Sequence, residues 1–323
     1  MPLLTPQDFA RDAQLPVDLS VVILNWNSRD FLVEALGSIL SQQWRYAIEV
    51  IVVDNNSQLD DAVEVVKRDF PQVTLIANPK NIGFAAGNNI GWKIARGRYV
   101  LFLNPDTLVH DGAFDTLVDW MDSHPRAGGS GPKMTYPDGR LQASSRAFPS
   151  FGAGMFRNTF LGKLWPNNPW SRGYLMEDTD RDEPRQADWL SGSALLVRRE
   201  ALEEITEPSG AWDEKYFMYC EDVDLCYRLK AKDWERWYVP GAHITHRIGG
   251  SSDWAQGAMI RQHHGSMLRF YFKHYAKGPG ILGAPLAVAG IGARAAGAVL
   301  KLWWRYLQSG RLGGMLKRKL KGP

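Results

Sequence analysis

Residues 19–27 read Leu-Ser-Val-Val-Ile-Leu-Asn-Trp-Asn, and this stretch decides the fold. A short β-branched and apolar run, 19–24, stops abruptly at a polar triplet. That is the pattern of a strand buried on both faces which delivers side chains at its carboxyl end. The pattern returns three times. Residues 49–53 lead into Asp54-Asn55-Asn56-Ser57, residues 73–76 into Asn78, and residues 99–103 into Asn104-Pro105-Asp106. Helical spacing fills the gaps: Ser28 suits an N-cap, and Phe31, Leu32, Ala35, Leu36, Ile39 and Leu40 share one face. Residues 61–70 and 84–95 read as two further helices. The alternation predicts an α/β fold, a doubly wound, mostly parallel, Rossmann-like sheet flanked by helices with right-handed crossovers.

In such sheets ligands lie beyond the carboxyl ends of the strands. All four exits carry Asn or Asp, which makes a rim of hydrogen-bonding side chains, although the same residues also serve ordinary turns and caps. Neither G-x-G-x-x-G nor G-x-x-x-x-G-K-[ST] follows any strand, so a phosphate-bearing ligand here calls for a metal to neutralise it.

Downstream the regularity fades. A helix is expected near 112–123, followed by a Gly- and Pro-rich passage. Residues 148–183 read mostly as loop, with Trp165, Pro166, Pro169, Trp170 and an acidic run at 177–183. A loop this long inside a compact domain is expected to be functional or mobile. Ordered structure resumes with a strand at 194–197 and a helix at 221–232.

Composition narrows the class. Of 323 residues, 45% are apolar and 23% charged, which excludes a disordered or collagen-like chain. Cys220 and Cys226 are too few for a disulfide framework or a zinc site, and a reducing compartment is the simple reading. Residues 1–15 contain Asp8, Arg11 and Asp12 and no apolar core of a secretory signal. The net charge of +3 conceals a division: residues 254–323 hold twelve Lys or Arg and no acid, while residues 1–253 carry −9. An anionic partner for the tail follows.

Val-Val-Ile-Leu-Asn-Trp-Asn at 21–27, Val-Val-Asp-Asn-Asn-Ser at 52–57, Asn81-Ile-Gly-Phe-Ala-Ala-Gly-Asn88, Leu103-Asn-Pro-Asp106-Thr and Phe217-Met-Tyr-Cys-Glu-Asp-Val-Asp-Leu-Cys-Tyr-Arg228 together resemble the family 2 inverting glycosyltransferases of GT-A fold. Within that family the bacterial rhamnosyltransferase branch is the most similar. The resemblance covers about residues 18–275. It implies a nucleotide-sugar site at Asn25, Trp26, Asn27, Asp54, Asn55, Asn81, Gly83, Asn88, Asn104 and Asp106, with Trp26 against the base and Asp54 accepting from its N–H edge. Asp222 matches the family's general base, with Glu221 beside it. Trp189, Gly192 and Ser193 resemble the acceptor-side wall. Asp106 matches the last acid of the family's D-x-D metal motif, whose first position is here Asn104, and His246 resembles a downstream ligand. The implied cofactor is Mg2+ or Mn2+.

The expected organisation is a lead over 1–17, a transferase domain over 18–277 (a nucleotide-sugar half, 18–110, and an acceptor half, 111–277) and a helical basic extension over 278–323. In the extension, residues 281–293 form an apolar run ended by Arg294, short for a membrane span. Trp303-Trp304 and Arg311, Lys317, Arg318, Lys319 and Lys321 follow, which suits a peripheral anchor on an anionic membrane surface. A helix packed on the body is the competing reading, and nothing upstream supports nucleic acid. The expected activity is transfer of L-rhamnose from dTDP-L-rhamnose to a lipid-linked or growing polysaccharide acceptor at the inner face of the cytoplasmic membrane. A UDP-hexose or UDP-N-acetylhexosamine donor is the first alternative, and a catalytically silent nucleotide-sugar-binding scaffold the second.

Overall fold

The structure, a computed structural model, describes residues 3–12, 14–157, 159–177, 181–247 and 256–308. The expected basic cluster from Arg311 to Lys321, the Gly-Gly-Ser that follows His246 and part of the acidic run lie outside the described residues.

The first half alternates as expected. Its elements are β1 (Leu3–Leu4), α1 (Pro6–Arg11), β2 (Leu19–Asn25), α2 (Arg29–Leu40), β3 (Ile48–Asp54), α3 (Ala62–Asp69), β4 (Thr74–Ala77), α4 (Phe84–Ile94) and β5 (Tyr99–Leu103). The second half adds β6 (Thr107–Val109), α5 (Ala113–Ser123), β7 (Ala127–Thr135), β8 (Ser145–Arg146), α6 (Phe151–Phe156), α7 (Phe160–Leu164), α8 (Pro169–Leu175), β9 (Arg185–Gln186), β10 (Trp189–Leu190), β11 (Ala194–Arg198), α9 (Arg199–Ile205), α10 (Glu221–Ala231) and β12 (Glu235–His246). The chain then runs through α11 (Gln256–Phe270), a π-helical turn (Tyr271–Tyr275), a 3₁₀ turn (Gly278–Gly283) and α12 (Ala284–Gln308).

One ten-stranded sheet carries both halves, in the order β1-β3-β2-β5-β11-β7-β12-β6, with β4 also on β3 and β9 on β12. β4, β3, β2 and β5 are parallel, and β11 is antiparallel to β5. The chain leaves β2 toward β3 and returns to its other side as β5, so a switch point opens at the carboxyl ends of β2 and β5. Alternation along β2 sends Val21 and Ile23 into one apolar cluster with Leu36 and Phe114, and Val22 into the other with Phe102 and Trp212. Each such fully buried side chain contributes about 1.5–3 kcal/mol.

Two readings of the second half are corrected. The Gly- and Pro-rich passage is a central strand, β7, whose glycines admit neighbours: a Cβ on Gly128 would lie 2.5 Å from the Cβ of Trp234. The segment expected to be mostly loop holds three short helices, each opened by a side-chain cap from Ser150, Thr159 or Asn168. Trp165 and Trp170 pack on Phe156, the latter ring parallel to it at 5.0 Å. Ala153 and Gly154 of α6 and Tyr174 of α8 reach the wall of the central cavity, whereas Trp165 and Trp170 pack within this small cluster.

The tail also differs from expectation. Residues Gly278–Arg305 are by length and composition apolar enough to cross a membrane, and none of that segment's hydropathic window is buried. Within this segment, Arg294 Nη1 donates to the Gly154 carbonyl of α6 at 3.1 Å, which ties α12 to the body.

Candidate functional site

At the switch point the strand exits bond mainly to one another. Asn25 and Asp54 are register partners, and Asn25 Nδ2 donates to Asp54 Oδ2 at 2.9 Å. Ser57 donates its N–H to Asp54 Oδ1 (2.9 Å) and its hydroxyl to Oδ2 (2.6 Å). Asp54 is 2% exposed and braces this rim. Asn27 takes a left-handed backbone (φ 51) and accepts from the N–H groups of Gln58 and Leu59. Trp26 stands half-buried at the exit, outside both apolar clusters.

A second network fixes the loop before α4. Asn55 donates to Asn81 Oδ1 (2.9 Å) and to the Gly83 carbonyl (3.2 Å), and accepts from Asn78 and from Ile82 N–H. Gly83 has φ 91, and a Cβ there would stand 2.8 Å from the Phe217 carbonyl oxygen. That carbonyl accepts from Phe84 N–H at 2.7 Å, so Gly83 permits the donor half to dock on the segment leading to α10. Asn88 is buried inside α4, where its amide is spent on the Phe84 carbonyl, and it is not on the wall of the central cavity. Its neighbour Asn89, which the sequence reading passed over, holds the chain around Trp212 by accepting from Trp212 N–H and donating to three acceptors.

The residues expected on the acceptor side come together on a cavity of about 410 Å³ whose wall includes Asn104, Trp189, Gly192, Ser193, Glu221 and Asp222. α10 begins beneath it. Tyr219 (φ 71) and Cys220 (φ 64) turn the backbone into the left-handed region, a strained conformation for these residues. The helix therefore starts with two acids facing the cavity. Asp222 Oδ2 accepts from Gly192 N–H at 3.1 Å and Oδ1 from Val223 N–H at 2.8 Å. Burial raises the Asp222 pKa, against the pull of those two N–H groups and of Arg146. Burial, then the charge of Asp222, pushes Glu221 well above the usual range, and Glu221 Oε2 is buried with no hydrogen-bond partner among the described residues. The Cys220 thiol is pushed well up by burial and these carboxylates, which removes any nucleophilic role at neutral pH.

Asp106 and His246 meet although they are 140 positions apart in the chain, because β12 pairs with β6 and sets His246 opposite Thr107. Nε2 of His246 lies 3.2 Å from Asp106 Oδ1. Gln142 donates to the His246 and Thr135 carbonyls, which turns its own oxygen toward His246 Nδ1 at 2.9 Å. With Nδ1 donating to that oxygen, Nε2 is the ring nitrogen that faces the carboxylate. Asp106 Oδ1 is buried with no hydrogen-bond partner among the described residues. A carboxylate oxygen left open beside an imidazole nitrogen fits a divalent cation. No group of three His, Cys, Asp or Glu stands ready to hold one among the described residues, so diphosphate oxygens and water would complete its shell.

Asp224, two residues beyond Asp222, has different surroundings. Burial would raise it, but His274 (2.7 Å), Arg228 (2.8 Å) and Lys273 (2.9 Å) hold its pKa far below the ordinary value. Lys273 also reaches Asp213 at 2.8 Å, so α10 is riveted to the π-helical turn. The sequence reading missed these partners, as it missed Arg146, Arg157 and Arg294 on the cavity wall. Only a helix spacing of four, Asp224 to Arg228, was visible in advance.

The family described as Glycosyl transferase family 2 matches residues 20–206. An N-acetylglucosaminyl-diphospho-decaprenol L-rhamnosyltransferase of Mycobacterium tuberculosis is 34% identical over 265 residues, 78% of this chain and 83% of the relative. Rhamnosyltransferase WbbL of Escherichia coli K12 is 27% identical over 234 residues, 70% and 82% of the two chains. Among solved structures, a Pyrobaculum calidifontis mannosyltransferase in complex with GDP-Man and Mn2+ superposes with TM-score 0.56 at 16% identity, over 96% of this chain and 84% of that one. GalNAc-T7 with UDP, GalNAc and Mn2+ gives 0.58 at 18%, over 82% and 49%. The fold is that of the GT-A glycosyltransferases.

Proposed function

Because the chain belongs to glycosyl transferase family 2, we propose that it transfers L-rhamnose, with inversion, from dTDP-L-rhamnose to the sugar of an N-acetylglucosaminyl-diphospho-polyprenol. The observation that carries this reading is Asp222, oriented through both oxygens on the wall of a cavity that also holds Trp189, Gly192 and Ser193. The names of the two rhamnosyltransferase relatives support the sugar, and that of the mycobacterial one the acceptor.

The acceptor hydroxyl gives its proton to Asp222 as its oxygen bonds to the anomeric carbon; the bond from that carbon to the diphosphate breaks on the opposite face, and dTDP leaves with the electron pair. The Gly192 and Val223 N–H groups keep Asp222 aimed, and a pKa raised by burial makes it a stronger base than an exposed Asp. Asp106 and His246 would hold Mg2+ or Mn2+, which when bound neutralises charge developing on the diphosphate. The donor lies against the rim of Asn25, Trp26, Asn27, Asp54, Asn55, Asn81, Gly83 and Asn88, with Asn104 between rim and cavity. The work takes place at the inner face of the cytoplasmic membrane, with α12 and the basic end as a peripheral attachment.

Nucleotide release with a donor panel and an N-acetylglucosaminyl-diphospho-lipid tests this. dTDP-L-rhamnose is expected to be turned over in preference to UDP-hexoses. Asp222→Asn is expected to lose about 10²–10⁴ in kcat with donor affinity retained; equal turnover by the variant refutes the base assignment.

A further inference from the structure

A second cavity, of about 540 Å³, adjoins the one that holds Asp222, and the two share Pro149, Gly154, Cys220, Met267 and Arg294 on their walls. The second is almost wholly apolar, framed by Phe151 and Phe160 of the short helices and by Leu286, Ala287, Gly290 and Ile291 of α12. Its rim leaves Phe160 72%, Phe151 59% and Leu286 57% exposed, a costly arrangement for a surface that meets only water.

Where it opens toward Asp222, three cations gather. Arg146, Arg157 and Arg294 all line the first cavity, and Arg157 feels the positive charge of both others. None of the three forms an ion pair with a carboxylate among the described residues. Arg146 donates to the Ala143 carbonyl, Arg294 to that of Gly154, and Arg157 lies over the Tyr174 ring at 4.9 Å. Like charges assembled without acids are unfavourable unless an anion completes them, and guanidinium forks match phosphate oxygens. An apolar slot, an arginine cluster and a base thus follow one another in the order of a prenyl chain, a diphosphate and a sugar hydroxyl.

We propose that the apolar cavity binds the proximal isoprene units of the acceptor and that Arg146, Arg157 and Arg294 bind its diphosphate, so that α12 is part of the acceptor site. This rests on the lipid-linked acceptor of the preceding reading. It gives α12 a role beyond attachment, since a helix that only floated on a membrane would not need to close a cavity against α6.

The test uses the full chain in detergent, with geranylgeranyl diphosphate and inorganic diphosphate as binding probes. Gly290→Trp fills the slot without touching the core, because a Cβ there meets nothing within 4 Å. It is expected to weaken geranylgeranyl diphosphate at least about tenfold and to leave inorganic diphosphate unchanged. Arg157→Gln is expected to weaken both probes. In turnover, Gly290→Trp is expected to raise KM for a long-chain N-acetylglucosaminyl-diphospho-lipid and to spare KM for a short-chain analogue. Equal binding of geranylgeranyl diphosphate by wild type and Gly290→Trp, or equal KM changes for both chain lengths, overturns the proposal. Prenyl diphosphate binding as expected with no rhamnosyl transfer to any such acceptor would instead remove the functional reading.

Discussion

The rim of strand exits and the cavity beside Asp222 are built from the same carboxylates and amides, but they fill them to different degrees. At the rim, Asp54 is filled by Asn25 and Ser57, and Asn55 by Asn78, Asn81, Gly83 and Ile82. On the cavity wall Glu221 Oε2 has no hydrogen-bond partner among the described residues, as Asn25 Oδ1 has none within the rim and Asp106 Oδ1 none beside it, and Arg157 and Arg294 make no ion pair with a carboxylate among the described residues. A saturated polar network holds a shape; an unsaturated one waits for charge from a ligand. α10 shows the contrast within one turn, for Asp222 is held by backbone N–H groups alone whereas Asp224 is locked by the side chains of Arg228, Lys273 and His274.

Breaking the locked carboxylate should have the largest effect on stability. Asp224→Ala strands Arg228, Lys273 and His274, and urea unfolding is expected to show a loss of about 3–5 kcal/mol. Because the folded Asp224 pKa is depressed, its contribution is present above the ordinary carboxylate range and is lost as pH falls through the folded value. Wild type should therefore lose stability in acid more steeply than the variant.

At the rim a smaller effect is expected. Asp54→Asn replaces a filled acceptor and should cost about 1–3 kcal/mol, seen as a lower Tm, with less change in kcat. An unchanged Tm together with a large rise in donor KM would mean that the rim is itself a ligand site of the unsaturated kind.

The smallest change should come from Glu221→Gln. Activity requires ionised Asp222, so it falls as pH drops through that group's raised pKa. Burial and the charge of Asp222 keep Glu221 protonated through that limb, so a neutral glutamine should leave the acid limb of the kcat profile in place. A limb that moves to lower pH would show instead that Glu221 is ionised beside Asp222.

β2, β3 and β5 and the helices between them were legible because each strand is buried on both faces and ends in a polar turn, and β4, only half-buried at its place beside β3, was legible from its apolar run and the Asn78 that follows. β7 was not, since its glycines reflect the close approach of Trp234, which no local pattern encodes. Asp222, Glu221, Asp106 and His246 were singled out through motif resemblance. The supports nearby were hidden: Gln142, which holds His246, and Lys273 and His274, which hold Asp224, are distant in sequence and carry no motif. Asn88, grouped with the donor site by the same resemblance, is occupied inside its helix. The three short helices of α6 to α8 left their N-caps in the sequence, but the proline and tryptophan runs between them masked the periodicity.

By itself, then, the sequence determined the alternating α/β half, the polar strand exits, the acids at the start of α10 and the division into an acidic body and a basic tail, because periodicity, capping and charge are local properties. Only the tertiary structure decided which polar atoms are spent and which are left open, how β12 brings His246 to Asp106, and that α12 closes an apolar slot beside the base. Those outcomes depend on register across a sheet and on packing between remote helices, which no single segment can specify.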